Sequence, residues 1–163
     1  MHTEVIEWLR SIRESEPGIF ENSRVLECGS LDINGTPRPL FKECEYVGLD
    51  WRDGPGVDVV SLTHHYRDDA GFDVVISTEM LEHDPYWLVS ACSMVELLRT
   101  GGSLILTFGG IDRPAHELDT SPEEGYYKGL HSGAVYNQLC HEFKAVHIWD
   151  DRNDVYMWCE GKR

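Results

Sequence analysis

Apolar residues recur at helical spacing at the start of the chain, at Val5, Ile6, Trp8, Leu9 and Ile12, and stop ahead of Pro17-Gly18. That spacing predicts an opening amphipathic helix that ends near the proline and packs on the rest of the fold. The pattern then changes to short apolar runs: Arg24 to Cys28, Tyr46 to Leu49, Val57 to Val60, Asp73 to Ser77 and Ser103 to Phe108. Their brevity, β-branched content and flanking glycines or aspartates predict buried parallel strands. Between the last two runs, Pro85 to Leu98 carries Leu88, Val89, Cys92, Val95, Leu97 and Leu98 mainly on one side, which predicts a helix stopped by Thr100-Gly101-Gly102. A further helix is expected from Ser132 to His141. The tail, Phe143 to Trp149, the turn Asp150 to Asp154, and Val155 to Cys159, predicts a hairpin.

The junctions between these runs carry the chemistry. Val25-Leu26-Glu27-Cys28-Gly29-Ser30 leads to Asn34-Gly35, and the next run, Tyr46-Val47-Gly48-Leu49-Asp50, ends in a second carboxylate. A glycine just past a strand lets backbone approach a ligand closely, and an acid at the end of the next strand, roughly 20 residues on, suits a ribose diol. Dinucleotide sites read G-x-G-x-x-G and cradle a pyrophosphate, for which Glu27 is a poor neighbour. A nicotinamide oxidoreductase is disfavoured accordingly. S-adenosylmethionine carries an ammonium, a sulfonium and a ribose but no phosphate, so the two acids complement it. The plain alternative is a glycine turn flanked by ordinary strand-end charges.

These residues resemble the first motif of the class I S-adenosylmethionine-dependent methyltransferases, and Leu26 to Pro39 with Tyr46 to Val60 looks most like a group of small, single-domain members. The resemblance spans nearly the whole chain. It implies a Rossmann-like, doubly wound α/β fold with a seven-stranded sheet, mostly parallel, whose final strand runs antiparallel in a C-terminal hairpin. It also implies that Glu27, Gly29 and Ser30 hold the methionine end of the cofactor, that Asp50 holds the ribose, and that Trp51 lays an aromatic face on adenine. Many relatives carry an acid for the adenine amino group after the third strand. This chain has Leu62 there, in Val59-Val60-Ser61-Leu62-Thr63, which leaves adenine to backbone groups, Thr63 or His64.

The segment Ser77-Thr78-Glu79-Met80-Leu81-Glu82-His83-Asp84-Pro85 holds an E-x-x-E-H pattern. In many methyltransferases of this class it forms the edge of the cofactor pocket, which assigns Thr78 and Glu79 to that edge. If Glu79 opens a helical turn, Glu82 and His83 fall on its face, and Glu79, Glu82 and His83 together suit a divalent cation that assists O-methylation. The same triplet resembles the metal ligands of ubiquinone-biosynthesis O-methyltransferases and small-RNA terminal 2′-O-methyltransferases. A capped helix start with a structural histidine is the bland alternative. The long polar stretch Ile111 to Leu130, with Arg113, His116, Glu117, Tyr126 and Tyr127, should wall the acceptor site beyond the strand ends. His83, His116 and His131 are the candidate catalytic groups, a general base needing only a near-neutral pKa and reach to the acceptor proton.

Composition narrows the partners. The 163 residues fit one domain, 1–163, and carry fourteen basic against twenty-nine acidic side chains, a net charge of −15. Such a charge repels phosphate backbones and anionic membranes at long range, so bulk nucleic acid and membrane are not expected partners, and a small-molecule acceptor is. Five cysteines with no C-x-x-C pair, and no signal-like or spanning apolar run, point to a cytoplasmic protein. Oligomeric state and the acceptor atom, oxygen or nitrogen, are not written in these residues. Nor is the choice between an enzyme and a non-catalytic cofactor-binding module that serves a partner protein.

Overall fold

The computed structural model describes residues 3–116 and 121–163. Its elements are α1 (Thr3–Ser15), β1 (Arg24–Cys28), β2 (Glu45–Asp50), β3 (Val59–Val60), β4 (Phe72–Thr78), α2 (Trp87–Glu96), β5 (Leu98–Gly109), α3 (Ser132–Leu139), β6 (Phe143–Asp150) and β7 (Asp154–Lys162). The seven strands form one sheet in the order β3-β2-β1-β4-β5-β7-β6, with β7 antiparallel to both β5 and β6 and the other pairings parallel. This is the Rossmann-like arrangement the sequence predicts.

Alternation along the strands divides the core between two faces of the sheet. Val25 of β1, Val74 and Ile76 of β4, Ile105 of β5 and Trp158 of β7 pack with Val5, Leu9 and Ile12 of α1. Leu26, Cys28, Val75, Leu104, Leu106, Met157 and Cys159 pack on the opposite side with Ala91 and Met94 of α2 and Val135 and Leu139 of α3. A period of two along each strand makes both faces apolar, as a sheet covered on both sides requires.

The first crossover departs from the usual pattern. Residues 29–44 contain Gly35, Pro37 and Pro39, which break helical hydrogen bonding, and only one 3-10 turn forms, at Arg38–Leu40. Leu40 and Phe41 are buried on the α1 face in place of a helix, and the Phe41 ring stacks on Phe20 with centroids 4.7 Å apart. Arg38 fastens this segment to the neighbouring strands. Its guanidinium lies 4.7 Å from the Tyr46 ring centroid, donates to the Gly56 carbonyl at 3.3 Å and pairs with Asp58, whose carboxylate also accepts from the Gly48 amide at 2.7 Å.

Two boundaries differ from expectation. The third strand shrinks to Val59–Val60, and Thr100-Gly101-Gly102 is not a helix stop but part of β5, which pairs from Leu98 and shifts register before resuming at Ser103. Gly102 is squeezed there, since a Cβ would meet the Asp73 and Arg99 carbonyl oxygens at 3.0 Å.

Candidate functional site

Parallel register brings the carboxyl ends of β1, β2 and β4 level: Cys28 pairs with Leu49 on one side and Ser77 on the other. A cleft opens above them, lined by Glu27, Gly29, Asp50, Trp51, Leu62, Thr78, Glu79 and His83 among the predicted residues. Glu27 sits at its base on the α1 side of the sheet. It is 2% exposed and accepts a hydrogen bond from the Tyr46 hydroxyl at 2.9 Å. Burial pushes its carboxyl up to about 8, against the opposing pull of the Tyr46 hydroxyl and the Arg38 charge. Asp50 is also buried, and burial raises its pKa against the amides of Arg52 (3.1 Å) and Leu31 (3.2 Å), which donate to its two oxygens.

Gly29 adopts φ +79°, and a Cβ there would lie 2.6 Å from Met80 Cγ. Both the backbone conformation and the packing demand glycine. Gly29→Ala is expected to lower the melting temperature, and a variant that melts with the wild-type protein in thermal denaturation would contradict this packing.

Several predicted residues lie elsewhere. Ser30 is buried with its hydroxyl behind the loop, where a Cβ on Gly48 would approach it to 2.8 Å, and it does not line the cleft. His131 caps α3 instead: its Nδ1 accepts from the Gly133 amide at 3.0 Å, answering the need of a helix start for an acceptor. His64 turns to Ser90, its Nδ1 3.2 Å from the hydroxyl, while Thr63 lines the cleft. Burial pushes the Cys28 thiol up to about 12, which leaves it a core side chain and not a nucleophile.

The E-x-x-E-H triplet does not share the expected face. Glu79 has φ +56° and precedes the 3-10 turn Leu81–His83. Its carboxylate is taken by Arg113, which also binds Asp154 and so ties the end of β4 to the start of β7. Glu82 faces Gly109, not the cleft. Among the described residues no group of three or more His, Cys, Asp or Glu side chains is placed to hold a metal ion. The divalent-cation reading of Glu79, Glu82 and His83 is corrected on that geometry.

His83 and His116 do meet: their rings lie 5.6 Å apart, and each contacts the Tyr127 ring, at 5.1 and 5.0 Å. The half-buried part of the Ile111 to Leu130 stretch therefore stands beside the cleft, and Pro122 lines it directly. Glu117 lies outside the described residues. Sequence reading gave no binding role to Ile33, Arg52 and Asp84 of the lining, while Asn34 falls in the glycine loop it singled out. Only Asp84 carries a local signal, a carboxylate ahead of a helix; it accepts from the Tyr86 amide at 2.7 Å and from the Ser90 hydroxyl.

No protein-family model and no curated protein matches the chain. Solved structures do. A Burkholderia thailandensis 1,6-didemethyltoxoflavin-N1-methyltransferase, with 1,6-didemethyltoxoflavin and S-adenosylhomocysteine bound, is similar at a TM-score of 0.72 and 15% identity, over 97% of this chain and 78% of that one. The N-methyltransferase NodS from Bradyrhizobium japonicum WM9, in complex with S-adenosylhomocysteine, is similar at a TM-score of 0.61 and 15% identity, over 94% and 87%. A putative ribosomal RNA methyltransferase from Plasmodium falciparum is similar at a TM-score of 0.62 and 14% identity, over 99% and 98%. The chain has the class I methyltransferase fold.

Proposed function

We propose that the protein is an S-adenosylmethionine-dependent methyltransferase acting on a small-molecule acceptor, as a single domain. The observation that carries this reading is the pair of buried strand-end acids, Glu27 and Asp50, flanking a cleft over the carboxyl ends of a class I sheet. The donor set suits the cofactor: a carboxylate at the base for an ammonium, a second carboxylate for a diol, Trp51 for an aromatic base, and close backbone approach at Gly29. When bound, the cofactor would supply an electrophilic methyl carbon: the acceptor's oxygen or nitrogen bonds to it as the carbon–sulfur pair leaves on sulfur, and the acceptor's proton passes to solvent or a nearby base. The chain contributes positioning and exclusion of water.

Small-molecule acceptance is supported by the net charge of −15, which opposes a polyanion, and by the ligand-bound Burkholderia enzyme of the same fold. The stretch beyond β5 would form the acceptor wall, with His83 and His116 its closest imidazoles to the cleft. Among the described residues no helix is long and apolar enough to cross a membrane.

Two measurements test the proposal. S-adenosylhomocysteine should bind with micromolar affinity by calorimetry, and labelled methyl should pass to a member of a small-metabolite library. Shortening residues 111–130 should abolish transfer while leaving cofactor affinity within about threefold. Binding without transfer to any acceptor would instead favour the non-catalytic module, and absence of binding would end both readings.

A further inference from the structure

The sheet ends on β6, whose one strand neighbour among the described residues is β7. At the hairpin the Asp151 amide donates to the Asp154 carbonyl at 3.3 Å. Alternation along an antiparallel pair then turns the N–H and C=O groups of Lys144, Val146, Ile148 and Asp150 away from β7, a row that can template a further strand. Nothing in the strand blunts this edge: β6 contains no proline and keeps one register with β7 from Ala145 to Asp150.

The side chains of β6 divide by face. Ala145, His147 and Trp149 stand on the α1 side, where Trp149 meets the Trp8 ring edge-on at 5.8 Å and His147 stacks on Trp158 at 4.9 Å. Lys144, Val146, Ile148 and Asp150 stand on the other side, Val146 and Ile148 against the core that α2 and α3 cover. Trp149 is 49% exposed, and Lys144, Ala145 and Asp150 are exposed as well.

A two-fold axis normal to the sheet would lay β6 antiparallel to β6 of a second copy, with side chains of the same face opposite one another, so every register is centred on one residue. Centred on His147, the pairing sets Lys144 against Asp150 at both ends and the large Trp149 against the small Ala145. The adjacent registers lose this match. Centred on Val146, Asp150 faces Glu142; centred on Ile148, Lys144 faces Arg152. Opposite charges support a strand pair and like charges oppose it, so the charges select one register, and in it the edge complements itself.

We propose that β6 pairs with β6 of a second copy about His147, making the protein a two-fold homodimer in which the two seven-stranded sheets run on as one. The net charge of −15 repels a second copy at long range, but salt screens that repulsion beyond roughly 8 Å, while the Lys144 and Asp150 side chains meet within that distance. The cleft over β1, β2 and β4 lies toward the other end of the sheet and stays open in both copies, so the proposal does not rest on the cofactor reading.

Sedimentation equilibrium over a range of protein concentrations, at about 0.15 M salt, should show a monomer–dimer equilibrium. Lys144→Glu sets acid against acid at both ends and Asp150→Lys sets amine against amine, and each should weaken dimerisation about tenfold or more. An equimolar mixture of these two variants restores opposite charges at both ends and should dimerise as the wild-type protein does. Trp149→Ala should weaken dimerisation severalfold. S-adenosylhomocysteine affinity, measured by calorimetry, should be the same for all the variants. A wild-type protein that stays monomeric, a dimer that both charge variants leave intact, or a mixture that does not recover overturns the proposal. If one charge variant does not fold, the other and Trp149→Ala decide, and unchanged dimerisation in both overturns it.

Discussion

S-adenosylhomocysteine binding is expected to release close to one proton at pH 7, and Glu27→Gln is expected to abolish that release. Burial holds the Glu27 carboxyl near 8, so about nine in ten free molecules carry a proton there at pH 7. An arriving ammonium is best met by the ionised form, and the proton must leave. Affinity should therefore rise with pH by up to about tenfold per unit until pH 8 and then flatten. Glu27→Gln should weaken binding by about 1.5–3 kcal/mol at pH 8, the worth of a charge-assisted hydrogen bond, and flatten the profile. Asp50→Ala should cost tenfold or more while proton release persists, because Glu27 remains. Calorimetry in buffers of different ionisation enthalpy counts the protons directly, and a count near zero in the wild-type protein would remove Glu27 from the ammonium site.

The second large effect concerns stability. Glu82→Gln should stabilise the free protein at pH 8 and change little near pH 5. Burial and the neighbouring Glu79 charge push the Glu82 carboxyl up to about 8, whereas a glutamate in the unfolded chain ionises near 4.3. Between those values the native chain holds a proton that the unfolded chain has lost, so stability falls as pH rises through the window. Near pH 5 the wild-type side chain is neutral and nearly isosteric with glutamine. By pH 8 the difference should approach about 4 kcal/mol, or roughly 10 °C in melting temperature. Melting curves from pH 5 to 9 check it, and a gain that does not grow with pH would show that Glu82 ionises without penalty. Glu27 contributes to the wild-type slope in the same direction, so the double variant should show a shallower pH dependence than either single variant, with the raised Asp50 carboxyl retaining part of it.

These effects differ in how far the sequence announced them. Glu27, Gly29 and Asp50 were legible because each stands at the end of a short β-branched run, and parallel strands align such ends on one side of a sheet. The two-faced core was legible for a related reason: alternation assigns Val25, Val74 and Ile76 to one face and Leu26, Val75 and Leu104 to the other without knowledge of the partner. Glu79, Glu82 and His83 illustrate the converse. Their spacing would place them on one helical face, but a left-handed Glu79, captured by Arg113 from beyond β5, breaks that face: Glu79 and His83 line the cleft and Glu82 turns to Gly109, near enough to feel the Glu79 charge. Nothing within a few residues of Glu79 specifies that capture.

The same holds for His131 and Ser30, whose roles depend on which backbone groups stand nearby. His131 meets the unsatisfied amides of α3, and Ser30 meets the closely approaching backbone of β2. By itself, then, the sequence determined the order of elements, the two-sided sheet and the acids at the carboxyl ends of its strands, because side-chain periodicity and turn chemistry act over a few residues. Tertiary structure alone decided that Leu40 and Phe41, in a first crossover whose prolines and glycine already exclude a helix, cover the core in place of one. It alone brought Tyr127 to Glu82 over Gly109, since contacts between distant segments are selected by packing and by the cost of burying polar atoms, not by local pattern.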